Sequence, residues 1–152
     1  MSTMTDKRTE DFLATSIKGL LQYTMEWMEA RNTELLEQAG VVGTPAEIKL
    51  FASLRGRERT ISELSRALGV TRQSVHNTVH KLVNAGLVQL TPSPNSKRDK
   101  LVVVTDQGQE TRKLAAKNLR QIEQELAQRI GKQDLESLRA ILLKHHQHSD
   151  SK

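Results

Sequence analysis

A chain of 152 residues, 36% hydrophobic and only 3% aromatic, has room for one domain, or for one compact domain with an added dimerisation element. Its core must be built from Leu, Val, Ile and Ala. That points to a mostly helical protein, because β-rich folds lean on aromatic side chains, and it leaves a lone protomer short of buried apolar surface, so an oligomer is expected. The absence of cysteine excludes disulfides and thiolate metal sites, no apolar run reaches the length of a membrane span or signal-peptide core (which predicts a cytoplasmic protein), and the net charge of +5 directs attention to acidic partners.

Residues 1–8 are polar and without period, which predicts a loose arm. Thr9 then reads as the cap of one long helix, with Glu10 and Asp11 at the positive end of its dipole. Phe12, Leu13, Ile17, Leu20, Leu21, Met25 and Met28 recur at helical spacing through to about Ala39, and Gly40-Val41 stops the run. A helix this long beside a small domain packs naturally against a second copy. Thr44-Pro45-Ala46-Glu47 starts the next helix as a capping box with Pro at the first helical position. Ile48, Phe51, Ala52 and Leu54 form its stripe and Gly56 ends it.

The stretch 60–86 carries two helices joined by a tight turn. Thr60 and Glu63 form a second capping box, Gly69 takes a left-handed C-cap, and Thr71 caps the second helix. At about 100° per residue, Val75, Val79, Leu82 and Val83 share one arc of that helix. Gln73, His76, Asn77, His80, Lys81 and Asn84 share the other, with Arg72 at the N-terminal end. An ordinary solvated helix face carries Glu among its Lys and Arg; this one has no acid at all. Amides and guanidinium pair with purine edges, whereas a carboxylate is repelled by phosphates.

After Gly86 the period changes. Residues 87–91 and 101–104 are β-branched-rich runs that read as strands, joined by a loop at 92–100. The two Pro residues stiffen the base of this wing, and Lys97, Arg98 and Lys100 populate its tip, where an Arg gains from the negative potential of a narrow minor groove. From Arg55 to Lys100 nine basic residues stand against three acids, a local charge of +6, so the rest of the chain sums to −1. The basic excess lies wholly on the proposed reading unit, as a polyanion partner requires. Thr105 caps another helix with Leu114, Leu119, Ile122, Leu126 and Ile130 as apolar positions. Gly131 breaks it, Asp134 starts a last helix striped by Leu135, Leu138, Ile141 and Leu142, and the tail frays.

This order of parts resembles the MarR (multiple antibiotic resistance regulator) family, dimeric winged helix-turn-helix transcription regulators. The resemblance covers about residues 10–146. It is densest in ISELSRALGVTRQSVHNTVHKLVNAGLV and in the wing ending KLVVVTDQG, with Gly-Leu-Val before the wing and Thr-x-x-Gly after it. It implies that Arg72, Gln73, Ser74, His76 and Asn77 face bases or nearby phosphates in the major groove, and that Arg98 is the minor-groove residue. Family wings carry an Asp two residues before that Arg; Ser96 stands there here. His76, Asn77 and His80 also replace residues that are frequent in the family. The expected architecture is therefore mostly α with a small β wing: a disordered arm (1–8), helical dimerisation regions (9–40 and 105–146), a winged helix-turn-helix (41–104) and a polar tail (147–152).

The expected function is that of a homodimeric repressor reading a near-palindromic operator, with residues 71–86 in the major groove and the basic wing 92–100 in the minor groove. The alternative is a winged-helix protein-interaction module without DNA binding. Tyr23, Met25, Trp27 and Met28 are the candidates for an effector pocket, against a reading as plain core. His76 and His80 at i, i+4 lack a third metal ligand nearby, so they read as DNA-facing side chains. No metal, cofactor or catalytic motif is expected.

Overall fold

A computed structural model describes residues 6–149. Residues 1–5 of the expected arm and 150–152 of the expected tail lie outside the described residues. The order of elements is α1 (Lys7–Thr15), α2 (Ile17–Gln38), α3 (Pro45–Ser53), β1 (Arg59–Thr60), α4 (Ile61–Leu68), α5 (Arg72–Asn84), β2 (Val88–Ser93), β3 (Ser96–Val104), α6 (Asp106–Ile130) and α7 (Lys132–Ser149). This is a mostly helical protein with one small antiparallel sheet. None of its described helices is long and apolar enough to cross a membrane. Two compact units divide the chain, Val41–Lys117 and the remainder, and α6 contributes to both.

The unit from Val41 to Lys117 is the winged helix. Thr44/Glu47 and Thr60/Glu63 both form complete capping boxes, each hydroxyl accepting from the backbone N–H of its Glu while the carboxylate accepts from the cap residue's own N–H. Gly69 ends α4 at φ +65°, a left-handed conformation that glycine takes without strain, and the N–H groups of Gly69 and Val70 donate to the Ser65 carbonyl. The two helices are thereby started and stopped by local chemistry. Their inward residues then meet: Leu50, Leu54, Ile61, Leu64, Val75, Val79, Leu82, Val88 and Val102 form one buried aliphatic cluster drawn from α3, α4, α5 and both wing strands. No aromatic residue is among them, as the composition demanded.

The sheet has three strands in the order β1-β3-β2, rather than the two expected. Arg59 pairs with Val102 and Thr60 with Leu101. The wing itself is longer and its loop shorter than predicted. Pro92 pairs with Lys100 and Ser93 with Ser96, leaving Pro94 and Asn95 as the turn in place of a nine-residue loop. Proline suggested a loop because it cannot donate to a ladder, but β2 is an edge strand, where a missing donor is tolerated. Lys97, Arg98 and Lys100 consequently lie along β3 and not at a loop tip.

The other unit comprises α1, α2, the later part of α6, and α7. The expected single N-terminal helix is broken at Ser16, whose backbone is extended (ψ 148°) and whose hydroxyl accepts from the Gly19 N–H at 3.1 Å, capping α2. Asp6, not Thr9, caps α1, so residues 7 and 8 belong to a helix rather than to the arm. At the other end α7 starts at Lys132 instead of Asp134 and runs to Ser149, so residues 147–149 are helical, not tail. Arg31 on α2 grips Glu125 on α6 through Nε (2.9 Å) and Nη2 (3.0 Å), and Arg139 on α7 reaches Glu123 on α6. Buried apolar residues here are few: Leu35, Leu36, Ile122, Leu126 and Leu135. Phe12, Leu13, Ile17, Leu20, Leu21, Ile141, Leu142 and Leu143 are exposed, and α1 buries nothing.

Candidate nucleic-acid interface

The exposed ridge of α5 follows from its two-sided pattern. With Val75, Val79 and Leu82 turned into the aliphatic cluster, Arg72, Gln73, Ser74, His76, Asn77, His80 and Lys81 are all exposed. The Gln73 amide donates to the Asn77 side-chain carbonyl at 2.9 Å, one turn apart. The pairing uses neither the Asn77 amide N–H groups nor the Gln73 carbonyl, which remain as a donor and an acceptor one helical turn apart. The His76 and His80 rings meet edge-to-face at 4.5 Å between centroids. Among the described residues no group of three His, Cys, Asp or Glu could hold a metal ion.

Lys97, Arg98 and Lys100 are likewise exposed. Ser96 turns the chain into β3, its hydroxyl accepting from the backbone N–H groups of Arg98 and Asp99 at 3.3 Å each. Two-residue alternation along the strand sets Arg98 and Lys100 on the face opposite Asp99.

Asp99 is the site residue that sequence reasoning missed. Its side chain is only 15% exposed and lies 3.8 Å from the Arg72 guanidinium. Burial favours the neutral acid, but the polar hydrogens of Ser62 (hydroxyl and backbone N–H) and of the Thr60 hydroxyl near the carboxylate, together with the charge of Arg72, outweigh it and hold the carboxyl below the usual carboxylate range. The Thr60 hydroxyl accepts from the Glu63 N–H at 3.1 Å and also lies beside Asp99. A strand of the wing is in this way tied to the start of α4 and to the start of α5. The only sequence signal was an acid in an otherwise basic loop.

The effector candidates on α2 do not share one face. Tyr23 and Met25 are both exposed and about 200° apart around the helix. Trp27, half-buried, is covered by the Arg129 guanidinium at 4.3 Å from the ring centroid, and Met28 is half-buried. A groove of about 520 Å³ between α6 and α7, walled by Arg120, Glu123, Lys132 and Leu135, includes none of the four.

The profile of the family described as the MarR family matches residues 44–99. The chain is 30% identical over 110 residues to the HTH-type transcriptional regulator TcaR of Staphylococcus aureus (strain Newman), covering 70% of this chain and 66% of that protein. It is 32% identical over 92 residues to an uncharacterized protein of Mycobacterium tuberculosis (strain ATCC 25618 / H37Rv), 60% of this chain and 58% of that one. The matches thus span less than two thirds of these curated relatives. Wild-type MarR from E. coli in its apo form superposes with a TM-score of 0.72 at 25% identity, over 84% of this chain and 94% of that one. A MarR transcriptional regulator from Methanosarcina mazei gives the same TM-score at 15% identity, over 88% and 95%, a likeness of fold alone.

Proposed function

The chain belongs to the MarR family, and from that membership we propose that it is a homodimeric DNA-binding transcription regulator, acting as a repressor. The observation that carries this reading is the acid-free ridge of α5, with its Gln73–Asn77 amide pair, flanked by the cationic strand of the wing. A two-fold pair of such ridges, set about 10 base pairs apart, reads successive major grooves of a near-palindromic operator. Arg72, Lys81, Lys97 and Lys100 neutralise phosphates, Gln73, Ser74, His76, Asn77 and His80 face base edges, and Arg98 enters the minor groove. The second copy would cover the exposed apolar residues of α1, α2 and α7. A small-molecule effector that prefers another half-site spacing would release the operator. Tyr23, Met25, Trp27 and Met28 are its candidate contacts.

Asn77→Ala tests the base-reading role. A duplex is first selected from a random pool by the wild-type protein, then compared with a scrambled duplex of the same length and composition. Loss of one amide contact per half-site should lower the ratio of the two affinities about tenfold or more, while affinity for the scrambled duplex stays within about twofold. An equal loss on both duplexes would mean that Asn77 holds only backbone.

A further inference from the structure

The wing carries one carboxylate on a surface otherwise set up to attract phosphates: Asp99 is the sole acid between Leu64 and Thr105. Left free it would repel the ligand proposed above. It is not free. Its side chain is turned toward the beginning of α4, where Ser62 offers both hydroxyl and backbone N–H and Thr60 offers a hydroxyl. An acid at a helix N-terminus meets unsatisfied N–H groups and the positive end of the dipole. The same carboxylate faces Arg72, the first residue of α5, at 3.8 Å, with the guanidinium itself 61% exposed. A pair at that separation with its guanidinium open to solvent adds little to stability, so stability alone does not account for its placement. What the contact does accomplish is geometric: it joins the wing, the start of α4 and the start of α5 at one point.

We propose that Asp99 is a positioning residue for operator recognition, holding the Arg72 guanidinium at the seam between wing and α5. This rests on the DNA-binding reading above. Arg72 then meets the backbone from a set direction, and phosphate contacts set the register in which base-reading side chains enter the groove. Asp99 therefore contributes to discrimination between sequences while opposing binding in general through its charge.

The two contributions have opposite signs, which makes them separable. Asp99→Asn keeps size and an acceptor oxygen but removes the charge. It should raise affinity for the scrambled duplex and lower the selected-to-scrambled ratio by about fivefold or more. In an Arg72→Ala background the same substitution should change that ratio by less than about twofold, because the residue it positions is gone. Should Asp99→Asn fail to melt cooperatively, Ser62→Ala, which takes away a hydroxyl beside the carboxylate, carries the same comparison with a smaller loss. An equal drop in ratio in both backgrounds, or no drop in either, would overturn the proposal while leaving DNA binding intact. A wild-type protein that ignores both duplexes would instead remove the reading on which the proposal stands, and the proposal with it.

Discussion

Gly108→Ala should destabilise the winged-helix unit by about 2 kcal/mol or more and lower its melting midpoint by about 10 °C. Two effects of opposite sign compete at this position. Gly108 lies within α6, where exchanging glycine for alanine would by helix propensity alone stabilise by about 1 kcal/mol. Against that, a Cβ there would sit inside van der Waals contact of the Leu87 carbonyl oxygen and 2.6 Å from Val104 Cγ1. The carbonyl cannot move aside cheaply, because it accepts the Thr105 N–H at 3.0 Å. Nor can α6 retreat, since the Thr105 hydroxyl donates to the Gly86 carbonyl at 2.5 Å and accepts the Gly108 N–H at 3.1 Å. Overpacking against fixed backbone outweighs propensity. Gly43→Ala, where the new methyl would meet only ordinary contacts at 3.4 and 3.6 Å, is the control and should melt within a degree or two of wild type. Equal melting of Gly108→Ala and wild type would show that the junction between wing and α6 yields easily.

The second large effect concerns assembly. Ile17 and Ile141 are 74% and 62% exposed in the isolated chain, so replacing both with Glu removes little packing from the protomer. If a second copy covers them, each substitution buries an unpaired carboxylate at the interface, which is strongly unfavourable. The double variant should sediment as a monomer with an unchanged melting curve for the winged-helix unit. Its affinity for the selected duplex should fall about 100-fold or more, because two half-site contacts no longer arrive linked. A variant that remains dimeric would place the interface elsewhere on the protein.

The parts of this fold that were legible in the sequence are those governed by local chemistry. Thr44 with Glu47, Thr60 with Glu63, Gly69 and Thr71 each start or stop a helix through partners within a few residues, and each behaves as its residue type dictates. The two faces of α5 follow from spacing alone, but the cluster beneath it does so only in part: Leu54, Val75, Val79 and Leu82 stood in the expected stripes, whereas Leu50 did not, and Ala52 of the expected α3 stripe is exposed. Features that depend on distant partners were hidden. β1 has two residues and therefore no period; it exists because β3 offers Leu101 and Val102 as partners. The break at Ser16 was masked because Phe12, Leu13, Ile17 and Leu20 keep helical spacing across it. Pro92 reads as loop until the edge position of β2 is known. Asp99 is the clearest case at the site: nothing near it in the chain indicates that Ser62, Thr60 and Arg72 will surround it. The Thr105-x-x-Gly108 pattern was visible, but its cause, the carbonyl of Leu87 pressed against α6, belongs to the folded protein.

A paired, cationic surface closing on duplex DNA must release counterions, and a salt series on the wild-type protein measures that directly. Affinity for the selected duplex, followed from about 50 to 200 mM monovalent salt, should fall with a log–log slope of about −4 or steeper, as several neutralised phosphates per dimer require. Absence of duplex binding at the lowest salt, or an affinity that does not respond to salt, would contradict it.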